Sequence, residues 1–279
     1  MNAVDRWRRD LAARAIPQAI LDAAPVSPFT FPKELFRARA ERAADRRSTT
    51  TERAAEALPT DGTVLDVGCG GGATSVGLAP RASAIAGVDA SAEMLATFSD
   101  TIERAGSMAT TYEGAWPAIA PTVPAADVVV CGHVLYNVQD LPMFASALTA
   151  HARRRVVVEI TDRHPLGWMD DLWERFHGVR FPKGPSADGA ADALRELGVD
   201  IRRDDRVDDL SRKAGFERRE DAVALIRTRL CLGADRDPEV VEALGDRLRE
   251  HDDRWSAGPA EQPLVTLWWD GHAEAGAGE

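Results

Sequence analysis

Cysteines are few and long apolar runs are absent, and each shortage excludes a class of protein. Cys69, Cys131 and Cys231 are odd in number and far apart, so they form neither a disulfide framework nor a zinc site. No apolar stretch approaches the roughly 20 residues that a membrane-spanning helix requires. The basic N-terminus is not followed by the apolar segment of a secretory signal. These absences predict a cytoplasmic protein with no membrane span.

Basic residues are outnumbered, with 34 Lys and Arg against 45 Asp and Glu and a formal net charge of −11. A field of that sign disfavours non-specific binding to nucleic acid or to anionic lipid. Only residues 1–60 are mildly basic, with 11 basic and 8 acidic groups. The 279 residues are 44% apolar, which predicts a folded chain with one large domain or one domain plus an appendage.

Short apolar runs alternate with helical stretches from residue 63 onward. The predicted strands are 63–67, 83–89, 108–112, 127–131, 155–160, an edge strand over 199–207 and a last strand over 264–269. Strands that are apolar throughout and separated by helices are typical of a parallel sheet covered on both faces. The predicted fold class is therefore α/β, with a doubly wound and mostly parallel sheet.

Helical periodicity and helix-capping residues predict the remaining elements. The predicted helices are 3–23 with a break at Pro17, 33–58, 74–78, one capped by Ser91, 190–197, 222–230 and one capped by Asp237. Trp168, Trp173 and Phe176 form an aromatic stripe that fits either a core or the wall of an apolar pocket.

A glycine-rich segment, residues 66–73, joins the first predicted strand to the next helix. Gly68, Gly70 and Gly72 let the backbone approach a ligand and let a helix N-terminus face it. The Gly-x-Gly-x-x-Ala spacing also fits a dinucleotide-binding fingerprint, with Asp89 at the distance expected of a ribose-binding acid. The glycines alone therefore leave NAD and other nucleoside cofactors open.

Asp66 distinguishes between these cofactors, because a carboxylate there would repel a pyrophosphate and attract an ammonium group. S-adenosylmethionine combines a ribose diol and an adenine with a cationic amino-acid tail. Residues 64–73 resemble motif I of the class I S-adenosylmethionine-dependent methyltransferases, and residues 87–95 resemble their second motif. The resemblance covers residues 60–161 and implies a Rossmann-like fold with a seven-stranded sheet. Taken singly, Asp66 and Asp89 could equally be capping or turn residues.

The resemblance also implies the contacts of S-adenosylmethionine. Asp66 and the glycine loop line its methionine end, Asp89 holds the ribose and Met94 faces the adenine. Where the family often has an acid that accepts from the adenine amino group, this chain has Ala115, so Trp116 or the backbone takes over that contact. The implied cofactor-binding residues are Asp66, Gly68, Cys69, Gly70, Gly72, Asp89, Ala90, Met94, Ala115, Trp116 and His133.

The segments after the fourth and fifth strands are predicted to face the methyl group, because ligands of open α/β sheets bind at the carboxyl ends of the strands. Methyl transfer depends mainly on positioning, and an oxygen or nitrogen acceptor also needs a base. We predict His133, Tyr136 and Asn137 as catalytic residues, with His133 as the base. The alternatives are a hydrogen-bonding role for His133 and a packing role for the other two. His164 is open to a turn-shaping role.

Aromatic residues outside the motifs are candidates for the acceptor side. Trp168 and Trp173 after the fifth strand, with Phe29 and Phe31 in an N-terminal loop, could close over the site and exclude water. The six histidines contain no His-x-x-x-His pair, so no metal site is predicted.

The predicted organisation is a helical cap over residues 1–58, a cofactor-binding core over 59–161, a helical lid insertion with the last strands over 162–271, and a flexible tail over 272–279. The predicted function is S-adenosylmethionine-dependent methyl transfer to a small organic acceptor. The alternatives are an RNA methyltransferase that uses the basic N-terminal segment and, less favoured, a non-catalytic S-adenosylmethionine-binding module. Asp66 disfavours an NAD dehydrogenase. The sequence does not identify the acceptor or the oligomeric state.

Overall fold

The computed structural model describes residues 1–29, 43, 48–210 and 215–272. Within these residues it contains a seven-stranded sheet and a separate two-stranded hairpin. The strands are β1 Thr63–Val67, β2 Ala84–Asp89, β3 Met108–Glu113, β4 Ala126–Gly132, β5 Ala152–Thr161, β6 Arg202–Asp209, β7 Leu248–His251, β8 Arg254–Ala257 and β9 Glu261–Asp270. The hairpin, β7 and β8, is absent from the sequence prediction.

The seven-stranded sheet has the order β3-β2-β1-β4-β5-β9-β6. Strands β1 to β5 pair in parallel, and β9 lies antiparallel between β5 and β6. Asp66 of β1 lies opposite Gly87 of β2 and Val130 of β4. The predicted doubly wound, mostly parallel, seven-stranded sheet is confirmed, and its register brings the carboxyl ends of β1, β2 and β4 side by side.

Helices cover both faces of the sheet because successive strand residues point to opposite sides. The helices are α1 Ala3–Ala12, α2 Gln18–Ala23, α3 Thr49–Ala57, α4 Ala92–Arg104, α5 Leu141–His151, α6 Asp170–His177, α7 Ala187–Glu196, α8 Arg219–Arg229 and α9 Asp237–Leu244. Leu65 and Val129 pack with α1, α5 and α7, whereas Val64 and Val130 pack with α3 and α4.

The helix predicted over residues 74–78 is wrong, because only a 3-10 turn forms there, Val76–Leu78. Gly77 is a poor helix former, and Pro80 has no backbone N–H to continue a helix. A Cβ on Gly77 would lie 3.1 Å from Thr51 Cγ2, so α3 packs closely against this turn. The glycine loop is therefore followed by a tight turn.

Two other helix predictions need correction or fall partly outside the described residues. Asp237 is the first residue of α9 and not its cap, which is Arg236. Of the helix predicted over 33–58, the structure describes α3 at its end, and residues 33–42 and 44–47 lie outside the described residues, as does Phe31. The predicted break at Pro17 is confirmed by the separate helices α1 and α2.

A third apolar cluster lies beyond the sheet and joins α2 to the region after β5. Met169, Leu172 and Ile226 are buried in it, and Ile16 and Ile20 pack against it. Arg14 is only 7% exposed, and its Nη2 lies 2.7 Å from Asp170 Oδ1. Among the described residues, no helix has both the length and the apolar character needed to cross a membrane.

Candidate functional site

The glycine loop leaves β1 at Val67 and turns sharply above the sheet. Gly68 and Gly70 have φ angles of +69° and +48°, a left-handed conformation that favours glycine. A Cβ on Gly68 would lie 2.3 Å from Val134 Cγ2, so the segment after β4 rests on the loop. A Cβ on Gly70 would meet nothing within 4 Å, which leaves open space above that residue. The loop can therefore admit a ligand at Gly70.

Asp89 connects the glycine loop to the end of β2. Its Oδ2 accepts a hydrogen bond from Gly70 N at 2.9 Å, and its Oδ1 accepts one from Ser91 N at 3.0 Å. Ser91 is confirmed as the cap of α4, since its side chain accepts from Met94 N. Each carboxylate oxygen has a second lone pair, so Asp89 can also accept from the two hydroxyls of a ribose. Ala90 is exposed beside it and Met94 is half-buried.

Asp66 is fully buried at the carboxyl end of β1. Ser75 Oγ donates to its Oδ2 at 2.7 Å, whereas its Oδ1 is buried without a hydrogen-bond partner. Burial, aided by the nearby charge of Asp89, raises the pKa of Asp66 to about 7, although the Ser75 hydrogen bond opposes the shift. An unsatisfied carboxylate oxygen next to the glycine loop fits a cationic amino group, which would supply both the missing donor and the missing charge.

Replacing Asp66 with asparagine is expected to change how stability depends on pH. Because the pKa is higher in the folded protein than in the unfolded chain, Asp66 contributes full stability below about pH 4, and this contribution is lost as the pH rises toward 7. The loss is about 1.4 kcal/mol for each pKa unit. Denaturant unfolding at pH 5 and pH 8 should show a smaller pH difference in Asp66→Asn than in the wild type. An equal change in unfolding free energy between pH 5 and pH 8 in the two proteins would contradict this account.

The Cys69 side chain faces away from the open part of the loop. It is buried, and its Sγ would lie 2.8 Å from a Cβ on Gly87. Burial, followed by the charges of Asp66 and Asp89, raises the pKa of the Cys69 thiol, which stays protonated. Cys69 therefore offers a ligand only its backbone. Among the described residues, no group of three or more His, Cys, Asp or Glu side chains could hold a metal ion.

The two residues predicted for the adenine side lie after β3. Ala115 is exposed, and the preceding Gly114 donates its N–H to Asp89 O at 2.9 Å. The Trp116 ring is half-buried against the core, edge-on to His151 with ring centroids 4.8 Å apart. Its Nε1 is buried without a hydrogen-bond partner. Ala115 thus lies beside Asp89, and the Trp116 ring packs against the core while keeping one unsatisfied donor.

His133 follows β4 in a left-handed conformation, with φ of +61°. Its backbone N–H donates to Glu159 O at 2.8 Å, and its Nε2 lies 3.1 Å from Glu159 Oε1. Burial by itself raises the pKa of Glu159, but the hydrogen bond and charge of His133, together with Arg206 and Thr50, hold that pKa well below its usual range. Glu159 is therefore ionised, and it keeps a proton on Nε2 of His133.

Glu159 belongs to a buried polar network that the sequence analysis did not identify. Its Oε2 accepts from Thr50 Oγ1 and from Arg206 Nη2, each at 2.7 Å, and Thr50 lies 2.9 Å from Thr266 Oγ1. The network joins α3, β5, β6 and β9 behind His133. The available signal was an acid directly after the apolar run 156–158 of β5, because a charge buried in such a place needs partners.

Tyr136 and Asn137, the other predicted catalytic residues, lie in a 3-10 turn after β4. Tyr136 is buried and its hydroxyl is hydrogen-bonded to Thr161 N and Oγ1, whereas Asn137 is exposed. The His164 ring lies 5.6 Å from the Tyr136 ring. Burial, together with the charge of Arg14, lowers the pKa of His164 to about 4, so this residue is neutral near pH 7. The structure therefore places Tyr136 between the ends of β4 and β5.

The aromatic residues predicted for the acceptor side separate into three environments. Trp173 is 4% exposed within the third apolar cluster, and Phe176 packs against that cluster. Trp168 lines a cavity of about 250 Å³ at the end of β5. Phe29 is 65% exposed. Among the described aromatic residues of this set, Trp168 is the one that lines this cavity.

Comparison with known proteins identifies a matching family. The model of a family described as a methyltransferase domain matches residues 36–217. A segment of 111 residues is 35% identical to an uncharacterized protein of Haemophilus influenzae, and it covers 39% of this chain and 41% of that protein. The matched segment therefore spans less than half of this relative.

Two solved structures share the fold at low sequence identity. The YcgJ protein of Bacillus subtilis is 13% identical with a TM-score of 0.51, and the match covers 84% of this chain and 100% of that one. A candidate methyltransferase from Bacillus halodurans is 14% identical with a TM-score of 0.50, and the match covers 80% of this chain and 99% of that one. At these identities the likeness shows a common fold.

Proposed function

The chain belongs to the methyltransferase domain family, and on this premise we propose that it transfers the methyl group of S-adenosylmethionine to a small organic acceptor. Membership confirms the predicted enzyme class and the predicted methyl donor. The observation that carries the proposal is the buried, unsatisfied Asp66 Oδ1 beside a glycine loop whose Gly70 N–H is held by Asp89. An ammonium group and a ribose diol are complementary to these two carboxylates.

Different residues of the site would hold different parts of the cofactor. Asp66 and the loop at Gly68 and Gly70 would hold the methionine end, Asp89 the ribose, and Met94 and Ala115 the adenine end. When bound, S-adenosylmethionine supplies a methyl group on a positively charged sulfur. The chain supplies orientation, which accounts for most of the rate enhancement that a displacement of this kind requires.

On the acceptor side, we assign His133 the role of general base and Glu159 that of the positioning residue. A proton held on Nε2 by Glu159 places the lone pair of the neutral ring on Nδ1. Asp66, the glycine loop and Asp89 would hold the cofactor as it supplies the methyl carbon to the acceptor atom, and its sulfur would keep the electron pair of the bond that breaks. A protonated acceptor atom gives its proton to Nδ1. The buried Tyr136 and the exposed Asn137 are assigned to positioning the acceptor.

We extend the proposal to the domain organisation and the setting. Of the predicted cap, residues 1–58 and 162–255, α2 and the segment with α6 would close over the site, which the Arg14–Asp170 ion pair and the third apolar cluster support. The helices α1, α3 and α7 pack on the sheet and β6 is one of its strands, so these elements are not part of a cap. A cytoplasmic location is in keeping with the three buried, unpaired cysteines. No observation among the described residues favours the RNA methyltransferase alternative.

Binding of S-adenosylhomocysteine, the product form of the cofactor, tests the proposal. It should raise the melting temperature because it binds the folded state, whereas NAD should not. Asp89→Ala should weaken binding by about 1.5–3 kcal/mol, because it removes a charged acceptor for two hydroxyls. Asp100→Ala is the matched control, since Asp100 is an exposed acid on α4 paired only with Arg104.

Two outcomes would contradict the proposal. A melting shift with NAD and none with S-adenosylhomocysteine would exclude the methyltransferase. Equal affinity in Asp89→Ala and Asp100→Ala would show that the loop has another ligand. Methyl transfer to a panel of small acceptors, followed by mass spectrometry, separates an enzyme from a module that only binds the cofactor.

A further inference from the structure

A cavity of about 250 Å³ lies between the β7–β8 hairpin and the end of β5, outside the glycine loop. We call it the hairpin pocket, and the lining residues that matter for the argument are Pro165, Trp168, Leu225, Arg249, Trp255 and Gln262. Its walls come from the segment after β5, the residue after β6, the residues before α8, helix α8 itself, the hairpin and the residues that lead into and begin β9. A cavity of this volume holds a small organic molecule.

The hairpin pocket opens at the same edge of the sheet as the cofactor site. Pro165 follows His164, whose ring lies 5.6 Å from that of Tyr136 after β4. Gln262, the second residue of β9, precedes Pro263, whose carbonyl accepts from Asp162 N at 3.0 Å, just after β5 ends. Pro165 and Gln262 thus place one wall of the pocket beside the carboxyl end of β5, the strand that pairs with β4.

The walls of the hairpin pocket are mainly aromatic and aliphatic. The indole rings of Trp168 and Trp255 and the side chain of Leu225 are half-buried, which leaves apolar surface open to the cavity. A Cβ on Gly258 would lie 3.6 Å from Trp168 Cζ2, so this indole is held against the hairpin. Rigid aromatic walls favour a flat or branched apolar molecule.

Arg249 is the cation among the described residues that line this pocket, and it differs from Arg247 just before the hairpin and from Arg254 within it. Arg247 pairs with Asp171 at 2.9 Å and Arg254 with Glu217 at 3.5 Å. Arg249 is half-buried and donates to Asp246 O at 3.3 Å, and no carboxylate of the described residues lies within 4.0 Å of its side-chain nitrogens. A guanidinium without a carboxylate partner, in a chain of net charge −11, is suited to bind an anion.

We propose that the hairpin pocket binds the methyl acceptor, and that the acceptor is a small organic anion with an aromatic or branched apolar body. Its anionic group pairs with Arg249, and its body lies against Trp168 and Trp255. This assignment rests on the proposed function, because it takes the pocket to be the acceptor side of a methyltransferase. It names the substrate class that the sequence motifs leave open.

Binding of matched probes to the protein saturated with S-adenosylhomocysteine tests the proposal. The probes are indole-3-propionate and its uncharged primary amide, which differ in charge at one end. Titration is followed by the indole N–H signals of Trp168 and Trp255 in NMR spectra. The carboxylate is expected to bind about tenfold or more tightly than the amide, because only the carboxylate forms the charged hydrogen bonds to Arg249.

Variants test whether the preference for the carboxylate over the amide arises in the hairpin pocket. Arg249→Gln should remove the preference for the carboxylate, whereas Arg254→Gln, on the same hairpin and already paired with Glu217, should keep it. Trp255→Ala should weaken both probes. Melting curves of each variant with S-adenosylhomocysteine confirm that the fold and the cofactor site are intact.

The outcomes separate the two proposals. Equal binding of acid and amide, an unchanged preference in Arg249→Gln, or no shift of either indole signal at millimolar probe would overturn the acceptor assignment. If S-adenosylhomocysteine does not bind to the wild type, the proposed function is overturned. The melting curves alone report this binding.

Discussion

His133→Ala is expected to lower the turnover number about 10²–10⁴-fold, while the affinity for S-adenosylhomocysteine stays nearly unchanged. The imidazole is held by Glu159, with Nε2 3.1 Å from the carboxylate. The next residue, Val134, lies against Gly68 of the glycine loop. Removing the imidazole removes the proton acceptor but none of the carboxylates proposed to hold the cofactor. The measurement combines turnover with an acceptor found by the panel and calorimetric titration of S-adenosylhomocysteine.

Two controls define the role of His133. His272→Ala changes an exposed histidine far from the site in sequence, and it should leave both quantities unchanged. Glu159→Gln keeps the side-chain shape and removes the charge that favours the imidazolium, so the acidic limb of the pH–rate profile should move to lower pH. If affinity and turnover fall together in His133→Ala, this residue holds the cofactor. Full activity would remove His133 from the mechanism.

Trp7→Ala is expected to lower the free energy of unfolding by about 3–5 kcal/mol. Trp7 of α1 is 1% exposed within the core formed with α5 and α7, and its Nε1 donates to Val138 O at 2.9 Å. The substitution therefore creates a cavity and leaves a buried carbonyl without its donor. Val138 follows Tyr136 and Asn137, so this bond also holds the proposed catalytic segment against α1.

Denaturant unfolding of matched variants measures this effect. Trp7→Phe keeps most of the buried area and loses only the hydrogen bond, so its cost should be about 1–2 kcal/mol plus some loss of packing. Phe29→Ala removes an aromatic ring that is 65% exposed, and stability should stay within about 0.5 kcal/mol. A loss below about 1 kcal/mol in Trp7→Ala would show that α1 does not support the sheet.

Local features of the chain were sufficient to predict the sheet and the cofactor side. Strands that are apolar throughout can only be buried on both faces, and this predicts a parallel sheet without knowledge of contacts. The glycine loop and Asp89 are adjacent to strand ends in the sequence, so the rule for open α/β sheets places them together. The structure joins them directly through the bond from Gly70 N to Asp89.

The partners of the catalytic residues could not be predicted in the same way. Glu159 meets His133, Thr50 and Arg206 from three other elements, at separations of 26 to 109 residues. The Tyr136 hydroxyl accepts a hydrogen bond from Thr161 N and is hydrogen-bonded to Thr161 Oγ1 at the end of β5, so this side chain is held in place. No spacing rule relates residues so far apart, because their distance is decided by the order of the strands.

The tertiary environment also gives residues of the same type different positions and contacts. Trp168 and Trp173 stand on one helical stripe in the sequence, yet the first lines the hairpin pocket and the second is buried in a core. The β7–β8 hairpin, which completes that pocket, has too few residues per strand for its alternation to be recognised. Arg249 and Arg254 likewise differ in whether a carboxylate of the described residues reaches them.

The sequence by itself determined the fold class, the family and the cofactor loop, because these depend on periodicity and on glycines and acids that are close together in the chain. Only the tertiary structure decided which groups lie behind His133, which carboxylate oxygen at Asp66 is unsatisfied, and which aromatic residues border a cavity. The physical reason is that burial, pKa and pairing are properties of a neighbourhood, and the neighbours of these residues come from distant segments brought together by the sheet.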